Sequence, residues 1–167
     1  MNKLKLHLVL SGLLLGGSAW AADSNPNIIV IYADDMGVGD VSGLNPEGKI
    51  PTPHIDRMID NGLALLNGHT TSSVCTPSRY GLLTGRYNWR SRRKAGVASG
   101  FSKPEIEKDR GTLATMLKKA GYHTGMIGKW HLGLDWVKLP ETDTDKSGSK
   151  KKSPNVDYTK PFRGGPV

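Results

Sequence analysis

Three apolar runs alternate along the chain with three segments of helical character. Ile28 to Ala33 is continuous, apolar and rich in β-branched residues, the pattern of a strand buried on both faces of a sheet. Its carboxyl end delivers Asp34 and Asp35. Leu63 to Thr70 predicts a second, shorter strand, and Tyr122 to Ile127 a third, whose exit presents Gly128, Lys129, Trp130 and His131.

Between the runs lie helix signals. Thr52 and Pro53 read as N-cap and first residue of a helix over His54 to Asn61, with Gly62 as its stop. A second helix starts just after Cys75. Pro77 suits its first turn, Leu82 and Leu83 continue an apolar face, and Gly85 ends it. The third covers Thr112 to Ala120, with Leu113, Met116 and Leu117 inward, Lys118 and Lys119 in the last turn, and Gly121 as its end. Alternation of this kind predicts an α/β fold with parallel neighbouring strands. In open α/β sheets ligands gather at the carboxyl ends of strands, where Asp34 and Asp35 stand.

The chemistry centres on Cys75, the only cysteine in the sequence. One cysteine forms no intramolecular disulfide, and by itself it reads as a small buried hydrophobe. Here it meets the amides of a helix N-terminus, and Arg79 follows one turn later, so the locality favours an anion. Asp34 and Asp35 taken alone are either loop aspartates beside Gly37 and Gly39 or two oxygen donors for a hard divalent cation.

Three stretches share one resemblance. Cys75-Thr76-Pro77-Ser78-Arg79, followed by Leu82-Leu83-Thr84-Gly85, resembles the modification motif of the type I, formylglycine-dependent sulfatases. Gly121 to His131 resembles the second signature of that family, and Asn27 to Asp35 its opening metal-binding strand. The three occur in the family's order. The resemblance implies an alkaline-phosphatase-like mixed sheet flanked by helices, incomplete in this chain, and the activity of a sulfuric ester hydrolase on aryl or carbohydrate sulfates.

By the same resemblance, a formylglycine-generating enzyme oxidises Cys75 to formylglycine. Asp34, Asp35 and the modified Cys75 bind calcium, with magnesium as the competing ion. Arg79 orients the modified side chain, while Lys129 and His131 contact the reacting group and assist proton transfer. His54, His69 and His123 lack metal-ligand spacing and read as ordinary side chains; Trp130 reads as a packing residue fixing its loop. Family members draw further metal and sulfate ligands from downstream positions, so this chain alone is expected to turn over little sulfate ester.

The N-terminus frames the protein's location. Lys3 and Lys5, an apolar stretch, then Ala19-Trp20-Ala21 have the layout of a secretory signal peptide over residues 1–21. The run is short and interrupted for a membrane span, which predicts export, to the periplasm or beyond, without a stable membrane anchor. Residues 22–167 then read as the N-terminal part of a larger catalytic domain, and 138–155 as a polar loop or insertion.

The formal charge of +8 falls to +6 with loss of Lys3 and Lys5. Two basic clusters stand out. Arg86, Arg90, Arg92, Arg93 and Lys94 could attract a sulfated polymer, whereas Lys146 and Lys150 to Lys152 read as a solvated loop. Three functional readings follow: a sulfatase acting on a sulfated small molecule or glycan, a phosphonate or phosphate monoester hydrolase with the same motif, and a non-catalytic binder of sulfated glycans. Nucleic acid is not an expected partner, because no recognition module accompanies the positive charge.

Overall fold

The computed structural model describes residues 25–139 and 156–163. The proposed signal peptide, most of the polar 138–155 segment and the lysines at 146 and 150–152 lie outside them. The chain divides into two units, Met1–Asp35 and Met36–Val167. No helix among the described residues is long and apolar enough to cross a membrane.

In the first unit, the described stretch from Asn25 to Asp35 forms no hydrogen-bonded ladder, and Ile29 and Ile31 are 83% and 80% exposed. The strand expected at Ile28–Ala33 is therefore not realised. A strand exists only through a ladder of N–H and C=O bonds to a partner segment, and among the described residues this run forms no such ladder.

The second unit is built on three helices, α1 (Pro53–Asp60), α2 (Cys75–Thr84) and α3 (Leu113–Lys119), with 3₁₀ turns at Val38–Asp40 and Asn88–Arg90. The strands expected at Leu63–Thr70 and Tyr122–Ile127 are likewise absent. Leu63, Leu65, Leu66 and Ile127 face outward uncovered. Among the described residues the sheet is represented by one antiparallel bridge, Lys138 to Val156.

The helix ends fall close to their sequence signals. Thr52 precedes α1, but its hydroxyl donates to the Asp56 carboxylate at 2.8 Å instead of capping a backbone amide. Ser42 completes that knot, donating from Oγ to Asp56 at 2.6 Å, while its backbone N–H donates to Thr52 Oγ1 at 2.9 Å. Gly85 ends α2 in the left-handed region at φ 65° and donates to the Gly81 carbonyl at 2.9 Å. Thr112 caps α3 through Oγ1, which accepts from the Thr115 amide at 3.1 Å. The C-terminus of α3 closes with Tyr122 N–H on the Leu117 carbonyl and Gly121 N–H on Lys118, both 3.0 Å, the paired bonds of a Schellman motif. Met116, expected inward, is exposed.

The buried centre lies around α2, whose Thr76, Pro77, Ser78, Tyr80 and Gly81 are all buried. Tyr80 is covered almost completely and directs its hydroxyl to Glu107, 3.2 Å away. Gly81 is required where it stands, because a Cβ would lie 2.1 Å from Thr71 Oγ1.

A second buried group is Glu105, 2% exposed. Arg93 donates to its Oε1 from Nε at 2.8 Å and pairs through Nη2 at 2.7 Å; Arg92 Nε lies 3.4 Å from Oε2 without hydrogen-bond geometry. A buried carboxylate needs such partners, since charge taken out of water is costly when unpaired.

Candidate functional site

Cys75 is the first residue of α2, one place further into the helix than the sequence suggested, and is partly buried. Val74 before it makes no side-chain cap. First-turn amides have no acceptor within a helix, and Pro77 removes one of them. The local field at Cys75 is thus set by the Cys75 and Thr76 amides. Ser78 anchors this turn by donating to the Ser72 carbonyl at 2.6 Å.

The loop bearing Lys129 and His131 is brought to α2 by two contacts. Arg79 Nη1 donates to the Lys129 carbonyl at 2.6 Å, and Thr76 Oγ1 donates to the His131 carbonyl at 2.8 Å. Four of the six predicted site residues, Cys75, Arg79, Lys129 and His131, are therefore tied into one neighbourhood. Asp34 and Asp35 belong to the first unit.

The loop itself is tightly specified. His131 is held at φ 54°, a conformation uncommon for a side chain with a Cβ. Leu132 behind it is completely buried, and its carbonyl accepts from Glu105 N–H at 2.8 Å. Leu134 N–H donates to the Ser102 carbonyl at 3.0 Å, and Trp130 Nε1 donates to the Gly133 carbonyl at 2.7 Å. Trp130 thus fixes the loop, as expected of it. At Gly133 the φ is 72° and a Cβ would meet the Lys103 carbonyl oxygen at 2.2 Å, so the close approach demands glycine.

Lys129, Trp130 and His131 face Ser99, Gly100 and Leu134 across an open cleft of about 310 Å³. His131 Nε2 lies 2.7 Å from the Ala98 carbonyl, and Ala98 N–H donates to Thr76 Oγ1 at 3.0 Å. His54 and His69 are exposed, bonded locally to Arg57 and Asn67, and His123 is exposed as well.

The basic cluster differs from its expected role. Arg86 pairs with Glu107 and the Arg90 carbonyl, Arg92 with Glu105 and the Lys103 carbonyl, Arg93 with Glu105, and Lys94 with the Trp89 carbonyl. Four of its five cations have internal partners. Arg92 and Arg93 brace the 102–105 segment that holds Leu132 and Leu134 in place, while Arg90, Arg92 and Lys94 remain exposed. Thr76 and Glu105 are the supports that the sequence reading missed. Thr76 occupies the variable place inside the cysteine motif, and Glu105 stands in a charged stretch without periodicity.

Asp35, like His131, has a positive φ, 57°; aspartate tolerates that region better than most residues. Among the described residues no three His, Cys, Asp or Glu side chains form a group able to hold a metal ion. Asp34 and Asp35 suit a hard cation by donor chemistry, as two carboxylates of a larger oxygen set.

A sequence model of the family described as Sulfatase matches residues 26–164. The chain is 50% identical over 123 residues to N-acetylgalactosamine-6-O-sulfatase of Bacteroides thetaiotaomicron, covering 74% of this chain and 23% of that protein. It is 40% identical over 139 residues to human steryl-sulfatase, covering 80% and 24%, and 42% identical over 114 residues to bovine arylsulfatase A, covering 68% and 22%. A solved structure from work on the metabolism of multiple glycosaminoglycans by Bacteroides thetaiotaomicron superposes with a TM-score of 0.61 at 52% identity, over 65% of this chain and 22% of that one. The chain thus spans about a quarter of the length of these relatives.

Proposed function

This chain belongs to the sulfatase family, and on that premise we infer that the protein carrying it hydrolyses sulfate esters by way of Cys75. The observation that carries the reading is the joining of the cysteine motif to the Lys129–His131 loop through Arg79 and Thr76. A sulfate ester presents negative oxygens that must be neutralised while sulfur is attacked. Lys129 supplies a compact permanent cation beside the cleft. His131 supplies an imidazole, a group that can take up or release a proton at a ring nitrogen. Arg79 orients the side chain at position 75 and holds the loop that bears the other two.

The nucleophile in this reading is formylglycine, made from Cys75 by a formylglycine-generating enzyme; its hydrate supplies one hydroxyl to attack sulfur and a second to help expel sulfate. Asp34 and Asp35 would contribute to holding calcium, with magnesium as the competing ion, and the bound cation would supply positive charge for the attacking and departing oxygens. The substrate class is a sulfated small molecule or glycan, met after export.

The test is turnover of matched aryl sulfate and aryl phosphate esters by the protein purified from its native host. Preferential release of sulfate, abolished by Cys75→Ala, is expected. Equal or greater phosphate release would transfer the reading to phosphate ester hydrolysis.

A further inference from the structure

The surroundings of His131 say which of its nitrogens carries the ring proton. A carbonyl oxygen only accepts hydrogen bonds, so the 2.7 Å contact with Ala98 requires a proton on Nε2. In neutral imidazole the other nitrogen then carries the lone pair, because the bond made at one ring nitrogen sets the state of the other. Nδ1 is closed off from solvent and has no partner among the described residues.

The Nε2 contact is in turn held by Thr76, which is 2% exposed. Its single hydroxyl donates to the His131 carbonyl at 2.8 Å and accepts from Ala98 N–H at 3.0 Å. Thr76 therefore grips both residues of the pair, His131 and Ala98, through their backbones. It also holds His131 against its positive φ of 54°, a conformation that persists only when neighbours enforce it. Since Thr76 follows Cys75 in the first turn of α2, the same side chain fixes the imidazole relative to the reacting residue.

We propose that Thr76 is a positioning residue for His131, committing Nε2–H to Ala98 and leaving Nδ1 as the nitrogen that exchanges a proton with the reacting group. The catalytic half of this statement rests on the sulfatase reading; the tautomer half stands on the hydrogen bonds alone.

The test combines Thr76→Val, Thr76→Ser and nitrogen NMR of the ¹⁵N-histidine-labelled protein, with His131 assigned by difference from His131→Gln. In the native protein His131 should show a protonated Nε2 and a bare Nδ1. Thr76→Val, which keeps the shape but removes the hydroxyl, should lose that pattern and lower kcat on an aryl sulfate by about tenfold or more, with KM within about twofold. Thr76→Ser should keep the pattern and recover most of kcat.

A native His131 protonated on Nδ1 overturns the proposal. So does a Thr76→Val protein that retains native kcat, whether or not the tautomer changes. If Thr76→Val does not fold, Thr76→Ser decides, and a folded serine variant lacking the native pattern sinks the idea. Absence of sulfate release by the native protein would overturn the functional reading, while the nitrogen spectrum still decides the tautomer.

Discussion

Arg79 and Lys129, fifty positions apart, are joined by a 2.6 Å hydrogen bond from the guanidinium Nη1 to the lysine's backbone carbonyl. The bond makes the geometry of one motif depend on the other. Arg79→Ala removes both the charge beside position 75 and the link to the loop. Its expected effect is a loss of about a hundredfold in sulfate ester turnover, with about 1 to 3 kcal/mol of stability lost. Steady-state kinetics with thermal unfolding checks both. Arg79→Lys should fail nearly as badly, because an ammonium does not reproduce the planar donor fork.

Two glycines distinguish a side-chain clash from a backbone clash. A Cβ at Gly81 would meet the Thr71 side chain, with Oγ1 at 2.1 Å and Cβ at 2.7 Å, whereas one at Gly133 would meet the Lys103 backbone with φ already positive. Gly81→Ala should cost about 1 to 3 kcal/mol, and adding Thr71→Gly should recover part of it as positive coupling in a double-mutant cycle. Gly133→Ala should cost more, because backbone does not rotate aside. Urea unfolding of the four variants gives the order.

The acid limb of stability has identifiable sources. Asp56 accepts from the hydroxyls of Ser42 and Thr52 and from Gly43 N–H, and these bonds hold its carboxyl below the usual range against the opposing effect of desolvation. At Glu107 partial burial opposes ionisation, but bonds from its own N–H, Tyr80 and Arg110 outweigh it and the carboxyl is also lowered. Both groups ionise more readily folded than unfolded. Their contribution is therefore complete above about pH 5 and drains away as pH falls through the folded values. Asp56→Asn and Glu107→Gln should each reduce stability at neutral pH and flatten its fall in acid.

Tyr80 works in the other direction. Burial, then the Glu107 charge, raise its phenol above the ordinary value, so its contribution is intact below about pH 10 and is lost as pH rises through the folded value. Unfolding measured across the alkaline range should show a limb that Tyr80→Phe removes.

Arg93 tests the reassignment of the basic cluster. Removing it leaves Glu105 buried beside the more distant Arg92, and Arg93→Ala should cost about 3 kcal/mol or more. A polyanion-binding surface arginine would change stability little. Thermal unfolding at low and high salt separates the two, since a buried pair is weakly screened.

Helix ends were legible because their signals are local. Thr52–Pro53, Gly85, Thr112 and Gly121 each stand within a residue or so of a boundary, and the chemistry of caps and left-handed turns acts over one turn. The apolar runs at 28–33, 63–70 and 122–127 form no ladder among the described residues, because a ladder needs partner backbone that no local pattern supplies. The arginines at 86, 92 and 93 looked like surface charge because their acidic partners, Glu105 and Glu107, come later in the chain and meet them only in the fold. The meeting of the Cys75 motif with the Lys129–His131 loop was foreshadowed by the order of the motifs. Thr76 was not, since its role lies in two backbone contacts with residues far along the chain.

The central claim concerns the chemical identity of residue 75, and the mass of the peptide spanning Ser73 to Arg79, from protein made in its native host, tests it most directly. The expected mass differs from that of the unmodified peptide by loss of H₂S and gain of one oxygen, the change from thiol to aldehyde, and the site should react with a carbonyl reagent. A peptide carrying only unmodified Cys75, in protein that still releases sulfate from an ester, would contradict the account.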